Sequence, residues 1–136
     1  MLIVDTGPLV AVADADDPDH VACDALLDTD PGPLVTTALV IAEAGFLIHR
    51  QVGPEAETAL VGDVAEGRIV VETLTASDWH RTLELLNTYA DLPLGVTDAS
   101  LVALAERHRV ERVATLDHRH FRVVRPEHLD AFTLLP

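Results

Sequence analysis

The stretch LIVDTGPLVAVA, residues 2–13, joins a short apolar run to a helical pattern through one acidic residue. LIVD (2–5) predicts a short strand covered on both faces, because consecutive Leu, Ile and Val are typical of strands in parallel sheets. Residues 7–13 predict a helical turn. Asp5 would then end the first strand, where it serves either as a turn or cap residue or as part of a site.

The triplet DTG (5–7) is also the active-site signature of aspartic proteases, in which two such aspartates share a proton. Those enzymes are all-β proteins, whereas this DTG leads into a helical pattern. The other DT, within LLDTDPGP (26–33), is explained by turn-forming residues. We therefore reject the protease interpretation.

Outward from this stretch, short strand-like runs alternate with longer helical patterns. Further strands are predicted over 33–37, 68–74, 112–117 and 121–124, and helices over 17–28, 38–50, 55–66, 75–90 and 97–109. Strands separated by helices predict parallel pairing, right-handed connections and an α/β sandwich. Sites in such folds form at the carboxyl ends of strands.

Two helix starts carry recognisable capping patterns. Asp17 and Pro18 are a favourable cap and first-turn pair for the second helix. Thr75 and Asp78 resemble a capping box in which Asp takes the place of Glu.

Length and composition predict one domain with a substantial core. The chain has 136 residues, of which 49% are hydrophobic. No apolar run approaches the roughly 20 residues that span a bilayer, and no basic region precedes the first apolar run. With one cysteine, Cys23, internal disulfides are excluded. We expect a cytoplasmic protein without a signal peptide.

Charge is unevenly distributed along the chain. Asp and Glu number 23 against 9 basic residues, all of them Arg, for a net charge of −14. Such a protein should be repelled by nucleic acid unless something compensates. The acids serve either solubility or the binding of metal ions. Six of the nine Arg fall between Arg107 and Arg125, a basic stretch that could steer a phosphate backbone or meet an acidic partner.

Glu43 lies inside the predicted helix ALVIAEAGFLIHR (38–50). Its helical neighbours are Leu39, Val40, Phe46 and Leu47, so the acid is predicted to point toward the core. A buried carboxylate must be paired, protonated or bound to a cation. Either a buried Arg pair or a metal would account for it.

Two further acids stand at predicted element ends. Asp98 begins the helix DASLVALAE, where it is either a cap or first-turn acid or, since Thr97 could cap instead, free for other work. Asp117 ends the predicted strand VATLD, as a turn residue or a ligand. Together with Asp5 and Glu43, these acids could converge at one sheet edge. Oxygen ligands favour Mg²⁺ or Mn²⁺, and two such ions can support phosphodiester cleavage.

Four stretches resemble the PIN domain, and within it the VapC-type ribonuclease toxins of bacterial type II toxin–antitoxin systems. They are IVDTG (3–7), VIAEAGFLI (40–48), YADLPLGVTDASLVALAER (89–107) and VATLDHRHF (113–121). The resemblance covers essentially the whole chain, and its two long stretches are specific. It implies one PIN-like nuclease domain over residues 1–136, a three-layer α/β/α sandwich with a central, mainly parallel sheet. The implied activity is metal-dependent endoribonucleolytic hydrolysis of RNA.

The same resemblance implies the site. Asp5, Glu43, Asp98 and Asp117 would be the catalytic and metal-binding acids for Mg²⁺ or Mn²⁺, with Asp5 and Asp98 the most direct ligands. Hydroxyl neighbours that hold water or orient an acid would be Thr6 and Thr115. The family often has a small hydroxyl residue where this chain has Gly7, so we assign that role to Thr6.

The implied partners are an RNA substrate, with transfer RNA expected, a cognate antitoxin protein and a second copy in a homodimer. No membrane association is expected. His118 and His120 are interpreted as RNA contacts or plain surface, with metal ions activating the water in their place.

Two rival classes of protein compete with this interpretation. Receiver domains and haloacid-type phosphatases also carry an aspartate at the end of the first strand, but they use a Lys, and this chain has none. A non-catalytic PIN-like scaffold, whose acids serve folding or partner binding, stays open as the alternative.

Overall fold

Five strands form one parallel sheet in a computed structural model of residues 1–136. They are β1 (Leu2–Val4), β2 (Leu34–Thr37), β3 (Ile69–Glu72), β4 (Arg112–Ala114) and β5 (Thr133–Leu135). Their order is β3-β2-β1-β4-β5, and every neighbouring pair is parallel. The first strand of the chain is thus the middle strand of the sheet.

Seven helices connect and cover the strands. They are α1 (Thr6–Ala13), α2 (His20–Thr29), α3 (Ala38–Gln51), α4 (Pro54–Ala65), α5 (Ala76–Thr88), α6 (Val96–His108) and α7 (His118–Val123). The first four helices pack together, and α5 packs against α6. The predicted three-layer α/β/α sandwich on a parallel sheet is confirmed. Each helix is too short or too polar to traverse a lipid bilayer.

The core is built on β1 and α6. Leu2, Ile3 and Val4 are fully buried, as expected for a central strand covered on both faces. Residues 99–105 of α6 are all buried as well, because a helix that is small and apolar on every side can lie inside the protein. The first turn of this buried helix carries Asp98.

The predicted strand over 121–124 is wrong. This segment lies in and just after α7, and the last strand is β5. Phe121 and Val124 are buried while Arg122 and Val123 are exposed, which is the spacing of one helical turn and not the alternation of a strand. The predicted strand over 112–117 also ends earlier, at Ala114, so Asp117 follows the strand at a distance and begins α7 instead.

Two other predicted helix starts differ from the structure. The second helix begins at His20 and not at Asp17, and α6 begins at Val96 with Gly95 as its N-cap residue. Thr97 is therefore inside α6, and its predicted capping role is wrong. The capping box of α5 is confirmed: the Thr75 hydroxyl accepts from the Asp78 N–H at 3.1 Å, and the Asp78 carboxylate accepts from the Thr75 N–H at 2.8 Å.

Phe121→Ala should destabilise the fold strongly, because α7 is anchored by this ring. Phe121 is 2% exposed, and its centroid lies 6.2 Å from that of Phe132 in an edge-to-face arrangement. We expect a loss of about 3–5 kcal/mol in the free energy of unfolding, measured by urea denaturation. Phe46→Ala is the matched control, since Phe46 is 64% exposed. Equal losses in the two variants would contradict the burial of α7.

Candidate metal centre

Asp5 is the most enclosed acid of the candidate site. It follows β1, is 4% exposed and is the N-cap residue of α1. One carboxylate oxygen accepts from the Thr6 N–H at 2.7 Å, and the other accepts from the Thr115 hydroxyl at 2.7 Å. Burial raises the pKa of Asp5, the two hydrogen bonds lower it, and the charges of Glu43 and Asp117 raise it again. Asp5 therefore caps a helix and also faces a cluster of like charges.

Glu43 is exposed, and its predicted burial against the core is wrong. The buried face of α3 includes Val40, Ala44 and Ile48, whereas Phe46 projects outward. No Arg pairs with Glu43. Its carboxylate instead accepts from the Thr6 hydroxyl at 2.6 Å, which directs the acid toward Asp5.

Asp98 lies in the first turn of α6 with 18% of its side chain exposed. Its pKa is raised to about 6, first by burial and then by the negative charge of Asp5, while nearby His120 lowers it. A carboxyl group with this pKa exchanges its proton close to neutral pH. A divalent cation placed beside it would favour the ionised form.

Asp117 is the N-cap residue of α7 and is more open than Asp5 and Asp98, with 43% of its side chain exposed. Its carboxylate accepts from the His120 N–H at 3.3 Å, and its own N–H donates to the Thr115 hydroxyl at 3.0 Å. Since that hydroxyl also donates to Asp5, Thr115 ties the two acids together. Thr115 is fully buried.

Gly7 is explained by a close approach. A β-carbon at this position would lie 3.1 Å from Cβ of Leu116, so Leu116 would have to shift by a few tenths of an ångström to admit a side chain here. The structure places Thr6 and not residue 7 as the hydroxyl beside the acids.

All four acids line one open cavity of about 450 Å³, together with Thr6, Gly7 and Leu116. No Arg forms an ion pair with any of them. His120 is the one basic side chain in contact, with Nδ1 at 2.6 Å from an Asp117 oxygen and 3.2 Å from an Asp98 oxygen. Four convergent carboxylates with so little compensating charge fit a hard divalent cation.

His120 was interpreted from the sequence as an RNA contact or plain surface, and its contact with Asp98 and Asp117 was not predicted. It contacts Asp117 because residues at i and i+3 share a helix face. The wrong strand prediction over 121–124 gave no reason to expect a helical contact between Asp117 and His120. One feature of the sequence could have indicated this contact: Asp117 is a favourable N-cap residue for a short helix, which would place His120 on the same face.

A small α/β fold whose parallel sheet carries acids at its carboxyl edge, where sites form in such folds, defines the class to which this protein belongs. The family model of the PIN domain matches residues 2–126. The chain belongs to the PIN-domain family.

Two relatives, both from Mycobacterium tuberculosis, place the chain more closely. It is 35% identical over 135 residues to Ribonuclease VapC26, covering 99% of this chain and 100% of the relative. The crystal structure of VapC20, described as a sarcin–ricin loop cleaving toxin, matches with a TM-score of 0.82 at 22% identity, over 88% of this chain and 92% of that chain. The predicted family and its VapC type are confirmed.

Asp98→Asn should change how stability depends on pH. In the metal-free protein the folded-state pKa of Asp98 is about 6, above its ordinary 3.8. The folded state therefore holds the extra proton in this interval, and the free energy of unfolding should fall as pH rises through it. Near pH 7.5 the Asn variant should be more stable than the wild type, and the difference should shrink as pH falls and disappear only below the ordinary pKa of 3.8.

Urea denaturation in EDTA across this interval measures the effect. Asp16→Asn, at an exposed loop position, is the control and should follow the wild-type profile. An Asp98→Asn protein that is less stable than the wild type near pH 7.5 would show that this carboxylate is favourably paired in the fold.

Proposed function

We propose that this protein is a metal-dependent endoribonuclease, comprises one nuclease domain over residues 1–136, and is the toxin of a VapBC-type toxin–antitoxin pair. The observation that carries the proposal is the convergence of Asp5, Glu43, Asp98 and Asp117 from four segments of the chain on one cavity. Membership of a family that includes a ribonuclease 35% identical to this chain supports the same activity.

Mg²⁺ or Mn²⁺ is the proposed cofactor, held by the four acids with Asp5 and Asp98 as the most direct ligands. When bound, such ions supply Lewis acidity and activate water for phosphodiester hydrolysis. The protein's own contribution is orientation: Thr115 fixes one oxygen of Asp5, and Thr6 fixes Glu43. Both threonines would act on the acids and not on the RNA.

RNA binding requires positive charge near this acidic cavity. Of the basic C-terminal stretch, Arg107 pairs with Asp78 and Glu72, and Arg112 pairs with Asp30. The remaining members form no ion pair and are exposed; they are Arg109, Arg119, Arg122 and Arg125. Two of them, Arg119 and Arg122, are on α7 directly after Asp117. We propose that these two contact RNA phosphates, with His118 a further contact.

We propose RNA as the substrate, with transfer RNA as the first candidate; the 35% identity to a ribonuclease supports RNA as the class. The description of the related VapC20 as a toxin that cleaves the sarcin–ricin loop makes ribosomal RNA the direct competitor. A cognate antitoxin and a homodimer complete the proposal. The apolar surface available for such contacts includes Trp79 and Leu83, which lie one turn apart on α5 and are 46% and 58% exposed.

The nuclease proposal predicts that Asp5→Asn and Asp98→Asn abolish RNA cleavage and restore growth to cells that produce the protein. Calorimetric titration with Mn²⁺ should show saturable binding to the wild type that is lost or much weakened in Asp98→Asn. Retained antitoxin binding would show that the variants are folded.

A scaffold predicts a different outcome. Its acids would serve the fold or a partner, so both variants would behave as the wild type toward Mn²⁺ and RNA. Persistent toxicity in Asp5→Asn and Asp98→Asn would refute the catalytic assignment of these acids.

Arg119→Ala combined with Arg122→Ala should weaken RNA binding with little effect on Mn²⁺ binding. Two fewer phosphate contacts should reduce the slope of log affinity against log salt by about 2. Filter binding of catalytically inactive Asp98→Asn protein to transfer RNA at several salt concentrations measures it. Arg50→Ala, at an exposed position on α3, is the matched control. An unchanged salt slope in the double variant would place the RNA elsewhere.

A further inference from the structure

One imidazole nitrogen at the edge of the acidic cavity lacks a proper partner. Nδ1 of His120 is buried, yet it has no hydrogen-bond partner in favourable geometry. It nevertheless lies 2.6 Å from Oδ2 of Asp117 and 3.2 Å from Oδ2 of Asp98. Only 19% of the side chain is exposed. A buried polar atom in this state is costly unless another group completes its coordination.

The three donors lie close enough together to share one ion. One ligand atom each from Asp98, Asp117 and His120 lies within 4.8 Å of the others. Two donors that share an octahedral ion at about 2.1 Å lie about 3 Å apart. The two nitrogen–oxygen distances of His120 bracket that value. Asp117 and His120 are neighbours on α7, whereas Asp98 comes from α6, so the approach of Asp98 to His120 is not a consequence of one helix.

We propose that His120 is a metal ligand that completes a mixed nitrogen and oxygen site with Asp98 and Asp117, and that it makes the centre selective for Mn²⁺ over Mg²⁺. This inference rests on the proposed metal-dependent function and adds a ligand that the four acids do not include. Imidazole binds later first-row ions more readily than Mg²⁺, which prefers oxygen donors and retained water. Carboxylates alone would discriminate less between the two ions.

A second role for His120 makes the opposite prediction. If the side chain serves as a cation that neutralises Asp98 and Asp117, it competes with a metal ion for the same oxygens. Removing it would then strengthen metal binding. The sign of the effect therefore distinguishes a ligand from an ion-pair partner.

The experiment is calorimetric titration of the full chain with Mn²⁺ and, separately, with Mg²⁺, at near-neutral pH. His120→Ala should weaken Mn²⁺ binding by roughly tenfold or more, while the Mg²⁺ affinity changes much less. The absorption spectrum of the Co²⁺-loaded protein should shift in the same variant, because a nitrogen donor is lost. His118→Gln is the matched control, since this neighbouring imidazole approaches the Thr115 carbonyl at 3.2 Å and not the acids.

Unchanged or tighter Mn²⁺ binding in His120→Ala, or equal losses for both ions, would overturn the proposal. His120→Gln, compared by circular dichroism and metal-free melting temperature, separates loss of a ligand from loss of the fold. Asp98→Asn identifies which idea failed: binding lost there but kept in His120→Ala refutes only the histidine ligand. Absence of Mn²⁺ binding in the wild type refutes the metal centre and the ligand together.

Discussion

Repulsion among carboxylates at one edge of the sheet is the constraint on which this site depends. Asp5 is nearly inaccessible to water, and its surroundings supply hydrogen bonds and further acids but no paired Arg. Such an arrangement costs the fold free energy in the absence of a counter-charge, because like charges in a poorly hydrated place disfavour ionisation. The structure tolerates the cost through the two hydrogen bonds to Asp5, one from a backbone N–H and one from Thr115. A cation is the partner that would relieve it.

The order of strands explains why distant residues meet. β1 is central and pairs with both β2 and β4, so the segments that follow β1 and β4 begin at one edge of the sheet. Asp5 starts one of these segments and Asp117 caps the helix in the other. The buried α6 adds Asp98 from its first turn, and α3 adds Glu43 through Thr6. Parallel topology thereby turns four separate sequence positions into one cavity.

Sequence patterns predicted the elements well where a run was long or strongly apolar. LIVD and the buried segment of α6 are examples, because nearly every side chain there is interior. The strand prediction for FRVV (121–124) was wrong because four residues fit a strand or a helical turn equally well. Only the tertiary contacts of Phe121 decide between the two. The predicted burial of Glu43 was wrong for a related reason. Its apolar neighbours indicated a buried face on α3, yet one of them, Phe46, is exposed. The four acids named from the sequence line one cavity, whereas the contact of His120 with two of them was not predicted, since it depends on the position of α7.

The partition of arginines reconciles an acidic protein with a polyanionic substrate. Four arginines form ion pairs with acidic side chains of this protein and are therefore less available to bind phosphate. They are Arg68, Arg81, Arg107 and Arg112. Arg119 and Arg122 form none and stand on the helix that Asp117 begins. A net charge of −14 repels RNA at long range, but screening confines exposed charges to about 8 Å at physiological salt. Within that range the unpaired arginines of α7, and not the net charge, would determine where a phosphate approaches the proposed metal site.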